Sequence, residues 1–96
     1  MVVGNTIHYH VNGQYYGSER FYGQDRSTWR NPDGSCEDGN FWDRGEEVCF
    51  RYSQESCWLV NEAGDGTVSA TARTGFTVTF WRIDDQRLRC DGPPVS

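Results

Sequence analysis

Four cysteines carry the clearest chemical signal in this sequence. Cys36, Cys49, Cys57 and Cys90 form an even set in a chain of 96 residues, which is typical of a disulfide framework. A structural zinc site usually contains closely spaced Cys-x-x-Cys pairs, and the sequence has none. We therefore predict two disulfides and an oxidising compartment, either the periplasm or the outside of the cell.

The pairing of these cysteines depends on where the hairpin turn before Cys57 falls. If that turn lies on residues 54–56, Cys49 lies several residues away from Cys57 along its strand, at about 3.3 Å per residue. Disulfide-bonded residues need Cα atoms within about 7 Å of each other. This placement disfavours a Cys49–Cys57 bridge and leaves the longer links through Cys36 and Cys90 open.

A His-x-His pair near the N-terminus is a candidate metal site. His8 and His10 would share one face of a strand, as the ligands of several β-rich metal sites do. Glu19, on the return strand, is the candidate third ligand for a divalent transition metal. The alternative is that both histidines are polar residues on the solvent face of an edge strand and that the protein holds no cofactor.

Aromatic residues are frequent, with four Trp, five Tyr and five Phe. Exposed rings could stack on a sugar or another flat molecule, whereas buried rings would fill a core that has only Leu59 and Leu88 as leucines. Among the candidates, Trp29 and Trp42 stand beside polar turns and are expected to be the more exposed. The candidate ligand-binding residues are Tyr15, Tyr22, Trp29, Trp42 and Trp81.

Catalytic patterns are weak. Glu46-Glu47 and Asp84-Asp85 are adjacent carboxylates expected in turns, whereas a glycosidase needs two carboxyl groups facing each other across a cleft. Cysteines in disulfides cannot act as nucleophiles, and no Gly-x-Ser-x-Gly motif is present. We therefore assign no catalytic residue and keep a carbohydrate-active enzyme only as the weakest alternative.

The charge of the chain restricts its partners. Its formal net charge is −5, and all its basic residues other than histidine are Arg, without a basic run. Such a chain is a poor binder of nucleic acid and is repelled by anionic lipid surfaces. No apolar stretch approaches the roughly 18 residues of a transmembrane helix. We expect a monomer that is not inserted in a membrane.

Alternation with a period of two dominates the sequence and predicts short strands. Asn12-Gly13 is a hairpin signal, and Val48, Phe50 and Tyr52 are expected to share an inward face. About eight short strands with frequent turns predict a single all-β domain over 1–96, an antiparallel barrel or sandwich with an ordered core over 4–90 and a tail over 91–96. Closure favours the barrel because it removes sheet edges. The predicted strands are 6–11, 15–22, 27–30, 40–42, 47–53, 57–61, 67–73, 76–83 and 87–90.

A set of short motifs of cysteines, glycines and aromatic residues runs from Gly4 to Pro93. The motifs are Gly4-x-Thr6, Gly13, Tyr16-Gly17-x-Glu19, Arg26, Trp29, Cys36-x-Asp38-Gly39, Val48-Cys49-Phe50-x-Tyr52, Cys57-Trp58 and Cys90-x-Gly92-Pro93. Their combination resembles an uncharacterised family of small exported proteins from alphaproteobacteria. The resemblance implies export and paired cysteines, but no activity. His8 and His10 depart from the family pattern, so any role of theirs would be specific to this chain.

Together these patterns predict an exported or periplasmic β-barrel without catalytic activity. It would bind a small molecule or a glycan in the mouth of the barrel, or a protein through exposed aromatic rings in the manner of small periplasmic inhibitors. The alternatives are the metal-binding protein and the carbohydrate-active enzyme described above.

Overall fold

The computed structural model describes residues 4–23 and 25–90. These residues form eight antiparallel strands in which each strand pairs with the next and the last pairs with the first, so the sheet closes into a barrel. The predicted all-β antiparallel fold, including its barrel form, is confirmed. No helix in this part of the chain is long and apolar enough to cross a bilayer. The strands are β1 (Thr6–Val11), β2 (Gln14–Tyr22), β3 (Arg26–Arg30), β4 (Cys36–Arg44), β5 (Glu47–Arg51), β6 (Glu55–Glu62), β7 (Val68–Ala72) and β8 (Thr77–Asp84).

The hairpin between β1 and β2 shows how local sequence shapes the barrel. Asn12 and Gly13 have φ angles of 52° and 81°, the left-handed conformation that this dipeptide tolerates, which confirms the predicted turn. Between Tyr9 and His10 the pairing with β2 shifts by one residue. Such bulges bend a strand and help a sheet to close on itself.

The side chains on the inner face of the barrel are mainly aromatic. Phe21 and Phe41 lie edge to face with ring centroids 5.0 Å apart, and Phe50 packs beside them. The prediction of an inward face on β5 and the residue after it is confirmed, because Val48, Phe50 and Tyr52 all line the interior. Aromatic rings therefore form most of the core, which contains no leucine among its described buried residues.

Both predicted disulfides are present, and one pairing corrects the expectation from the sequence. Cys49 and Cys57 are directly opposed on β5 and β6, with Cα atoms 4.0 Å apart. The expectation against this bridge was wrong because the turn lies two residues earlier than predicted, so that Arg51 pairs with Glu55. Two disulfides indicate an oxidising, extracytoplasmic compartment.

The second disulfide fastens the C-terminal segment, residues 85–90, to the outside of the barrel. Cys90 is bonded to Cys36 on β4, with Cα atoms 5.5 Å apart. This segment, here called the strap, contains no strand, so the predicted strand over 87–90 is wrong. Its backbone carbonyls instead accept hydrogen bonds from side chains of the barrel, among them Arg20 and Arg30. The predicted tail over 91–96 lies outside the described residues.

Candidate functional site

The interior of the barrel contains a cavity of about 750 Å³. An eight-stranded barrel is wide enough either to be filled by side chains or to hold one small ligand, and the side chains of this one fill its interior only in part. Turn residues that include Asn31 and Gln54 line the cavity, so it reaches the end of the barrel that carries the β3–β4 and β5–β6 turns. The aromatic residues that line it are Tyr9, Tyr16, Phe21, Trp29, Phe50, Tyr52, Trp58 and Phe80.

A buried carboxyl group stands in this aromatic wall. Glu19 lies on β2 and is only 4% exposed. The Tyr9 hydroxyl donates a hydrogen bond to its Oε1 at 2.8 Å, and the Tyr52 hydroxyl donates one to its Oε2 at 2.5 Å. Ser27 Oγ lies 2.9 Å from the Tyr52 hydroxyl and extends the network to β3. The network thus joins side chains from β1, β2 and β3 with the turn after β5.

Burial controls the ionisation of this cluster. It raises the pKa of Glu19 from 4.5 to about 7, although the hydrogen bonds from Tyr52 and Tyr9 act in the opposite direction. Burial and the neighbouring Glu19 also raise the pKa values of both tyrosines, which therefore remain hydrogen-bond donors. Glu19 can accordingly gain or lose a proton near neutral pH, and both of its donors are neutral groups.

Two glycines make room for the rings that shape the cavity. A Cβ atom on Gly17 would lie 2.4 Å from the indole of Trp29, and one on Gly39 would lie 2.6 Å from the ring of Tyr52. Real Cβ atoms do not approach other atoms this closely. Glycine at these two positions therefore leaves the space that the rings of Trp29 and Tyr52 occupy.

The indole of Trp29 is held in place at the end of the cavity near the β3–β4 and β5–β6 turns. Its Nε1 donates a hydrogen bond to Asn31 Oδ1 at 2.9 Å. Its ring packs against Tyr9 at 5.9 Å and Tyr16 at 5.7 Å between centroids. Trp29 was expected to be exposed, but it is half-buried because β3 turns its side chain towards the interior.

The structure places Trp29 at the cavity and the other four candidate ligand-binding rings on the outer face. Tyr15 bonds Ser18 through its hydroxyl, and Tyr22 lies beneath the guanidinium of Arg20. Trp81 is 60% exposed and alternates on β8 with Phe80, which lines the cavity.

Trp42 also lies on the outer face, where it is half-buried and less exposed than Trp81, so its expected exposure is wrong as well. It is the cross-strand neighbour of Cys49, on the side opposite to the inward-facing pair of Phe41 and Phe50. Its place is therefore beside the Cys49–Cys57 disulfide and away from the cavity.

The three candidate metal ligands are not brought together. Glu19 faces the interior, whereas His8 alternates with Ile7 and Tyr9 and faces outwards. His10 packs its ring against Trp81 at 6.0 Å on the outside. Within residues 4–23 and 25–90, no three His, Cys, Asp or Glu side chains are grouped in a way that could hold a metal ion.

Both ring nitrogens of His8 are engaged in an outer hydrogen-bond cluster. Nδ1 lies 2.7 Å from Ser18 Oγ, and Nε2 lies 3.0 Å from Asp84 Oδ2. Serine, histidine and aspartate are also linked in serine hydrolases, but there the serine bonds Nε2 and the aspartate bonds Nδ1, the reverse of the arrangement at His8. Moreover, Ser18 is 2% exposed and its oxygen also lies 2.6 Å from the Tyr15 hydroxyl, so it is closed to a substrate. The cluster links β1, β2 and β8 and has a structural role.

The adjacent carboxylate pairs do not converge on the cavity. Glu47 forms an exposed ion pair with Arg73, with Oε1 and Nη2 2.8 Å apart. Asp84 is held by His8 on the outer face, and Asp85 belongs to the strap. The pairs were expected in turns, but Glu47 is the first residue of β5 and Asp84 is the last residue of β8.

The buried carboxyl group is the functional feature that the sequence interpretation misplaced. Glu19 was assigned to a surface metal site together with the two histidines. Its position two residues before Phe21 puts both side chains on the same face of β2, so an inward Phe21 already implied an inward Glu19. The partners Tyr9 and Tyr52 come from distant parts of the chain and become visible only in the closed barrel.

Comparisons with known proteins add no assignment. No protein-family model matches the chain, and neither a curated protein nor a solved structure matches it. The resemblance to small exported proteins stays a prediction, and what is shown is a small disulfide-bonded β-barrel.

Proposed function

We propose that this protein is an exported binding module, without catalytic activity, that holds a small and mostly apolar molecule inside its barrel. The single observation that carries the proposal is the cavity of about 750 Å³. Ligand sites are typically about 300–1,000 Å³, with mainly apolar and aromatic walls and a few polar groups that orient the ligand. The aromatic wall and the cluster of Glu19, Tyr9 and Tyr52 match this description.

The compartment forms part of the proposal. A barrel that depends on two disulfides keeps its structure in the periplasm or outside the cell, where thiols stay oxidised. A small ligand taken up in that compartment would enter the cavity at the end near the β3–β4 and β5–β6 turns, beside Asn31 and Gln54.

The test introduces a larger side chain into the cavity and measures the binding of a dye. Ala70 lies on β7, is 6% exposed and lines the interior. In Ala70→Leu the additional carbons extend into the cavity, whereas in the control Ala63→Leu they extend from an exposed turn. The probe is N-phenyl-naphthylamine, a neutral dye that fluoresces in apolar surroundings.

We expect the wild type and Ala63→Leu to bind the dye and Ala70→Leu to bind it about tenfold more weakly or not at all, a loss of about 1.4 kcal/mol or more. Ala70→Leu should unfold within about 1 kcal/mol of the wild type, because its side chain fills a void. An overpacked core would instead lose about 1–3 kcal/mol. Equal dye binding by both variants, or destabilisation confined to Ala70→Leu, would contradict a hollow binding site.

A further inference from the structure

The cavity is lined by acidic side chains and, within the described part of the chain, by no basic ones. Four acidic residues line it: Glu19, Glu37, Asp43 and Glu55. Among the described residues of the lining there is no Arg and no His. The Glu55 carboxylate forms an ion pair with Arg51, which is not part of the lining, with Nη2 and Oε1 3.3 Å apart. An anionic ligand would therefore meet repulsion and find no cation inside the barrel.

Glu19 is the most deeply placed of these acids. The side chains that face it are Tyr9 from β1, Tyr52 from the turn after β5, Ser27 behind Tyr52, and Glu37 on β4 near the same cluster. They donate hydrogen bonds or carry negative charge, and none of them is a cation. A carboxylate offers about four lone-pair sites, of which the two tyrosines occupy two. The remaining sites can accept further donors from a ligand.

The aromatic wall beside Glu19 provides a second attraction for positive charge. Trp29 stands opposite Glu19 in the pairing of β2 with β3, and its ring packs against Tyr9 and Tyr16. Phe80 lies edge to face with Tyr9 at 5.2 Å. The faces of aromatic rings attract cations, and tryptophan attracts them most strongly.

We propose that the ligand is an organic cation, with a compact apolar or aromatic body and one protonated amine that lies between Glu19 and the rings around Trp29. This proposal rests on the proposed binding function and specifies its ligand class. The amine supplies a positive charge beside Glu19, where none of the facing side chains named above is a cation. The apolar body occupies the rest of the cavity.

The test uses three probes that share one body and differ in charge: naphthylethylamine, naphthylethanol and naphthylacetic acid. Their affinities are measured by calorimetry at about pH 8.5, above the pKa of Glu19 of about 7 and below that of an alkylamine, about 10. We expect the amine to bind about tenfold more tightly than the alcohol, and the acid to bind most weakly.

Two further measurements connect this preference with Glu19. The affinity of the wild type for the amine should fall towards about pH 5.5, because a proton then competes for the carboxylate. In Glu19→Gln the amine should lose its advantage over the alcohol and its pH dependence. The control Glu46→Gln makes the same change in an exposed turn and should keep both. The pH series on the wild type carries the test even if Glu19→Gln fails to fold.

The outcomes separate the two proposals. If the alcohol or the acid binds at least as tightly as the amine, the cavity is a binding site but the cation proposal is overturned. An amine affinity of the wild type that does not change between about pH 5.5 and 8.5 also overturns it. If neither these probes nor the neutral dye binds, the binding function itself fails.

Discussion

Replacement of the buried carboxyl group by an amide should change how the stability of this protein depends on pH. The folded state raises the pKa of Glu19 from 4.5 to about 7, mainly because burial disfavours the charged form. Below about pH 4.5 the group is protonated in both the folded and the unfolded state. Between about pH 4.5 and 7 the unfolded chain releases its proton while the folded barrel retains it. The free energy of unfolding therefore falls as the pH rises through this window and levels off above it.

The magnitude follows from the size of the shift. A rise from 4.5 to about 7, at about 1.4 kcal/mol per pKa unit, corresponds to about 3 kcal/mol of stability lost between acidic and mildly alkaline pH. Glu19→Gln keeps the shape of the side chain and stays neutral throughout. Any loss from imperfect hydrogen bonds to Tyr9 and Tyr52 is the same at every pH, so the variant should lack this decline.

The assay is equilibrium unfolding in urea, followed by tryptophan fluorescence with both disulfides intact, from about pH 4.5 to 8.5. The quantity to compare is the difference in unfolding free energy between Glu19→Gln and the wild type, which should shift by about 3 kcal/mol in favour of the variant as the pH rises. Surface acids with lowered pKa values contribute equally to both proteins and cancel. Glu46→Gln, an exposed control, should follow the wild type. A difference that stays constant with pH would refute the assignment of Glu19 as a buried acid.

The disulfides and one glycine allow further tests. The Cys36–Cys90 bridge has a sequence separation of 54 residues. Replacing both of its cysteines should lower the free energy of unfolding, measured in urea, by about 4 kcal/mol. The same change at Cys49–Cys57, separated by 8 residues, should cost about 2.5 kcal/mol, because a shorter loop restricts the unfolded chain less. The reverse ranking would argue against this entropic origin. Gly39→Ala should lower the melting temperature, with a loss of at least about 2 kcal/mol, because its Cβ would lie 2.1 Å from a backbone carbonyl oxygen. Gly64→Ala meets nothing within 4 Å and should change little; equal melting temperatures would contradict the packing described at Gly39.

The barrel could be predicted because its signals are local. Alternation gave β1 its bounds at Thr6–Val11, and Asn12-Gly13 marked its turn, since both effects depend on neighbouring residues only. The failures arose where distant contacts decide. Residues 87–90 resemble a strand in the sequence, but β1 and β8 pair with each other and leave no open sheet edge among the described strands. The Arg89 carbonyl instead accepts a hydrogen bond from the Arg30 side chain.

The disulfide that was disfavoured shows how sensitive register is to the position of a turn. A turn placed two residues too late separates Cys49 from Cys57, whereas the actual turn makes them direct neighbours. The sequence around the turn, Tyr52-Ser53-Gln54-Glu55-Ser56, contains no glycine or proline that would fix the turn at one position. The register is therefore set by the inward face of β5, which pairs Val48 with Trp58 across the strands.

The cavity could not be predicted from composition, because the same rings can either fill a barrel or line it. What decides is which residues face each other across the interior. In a closed ring of eight strands, β7 lies four positions from β3, so Ala70 faces the side of the barrel that carries Trp29. Ala70 is also the only residue of β7 in the described lining. A large ring on one wall and a methyl group on the other leave a space between them, within an eight-stranded barrel that is wide enough to hold one small ligand. The small side chain of Ala70 on β7 is therefore one condition for this space, and Ala70→Leu tests whether it keeps the cavity open.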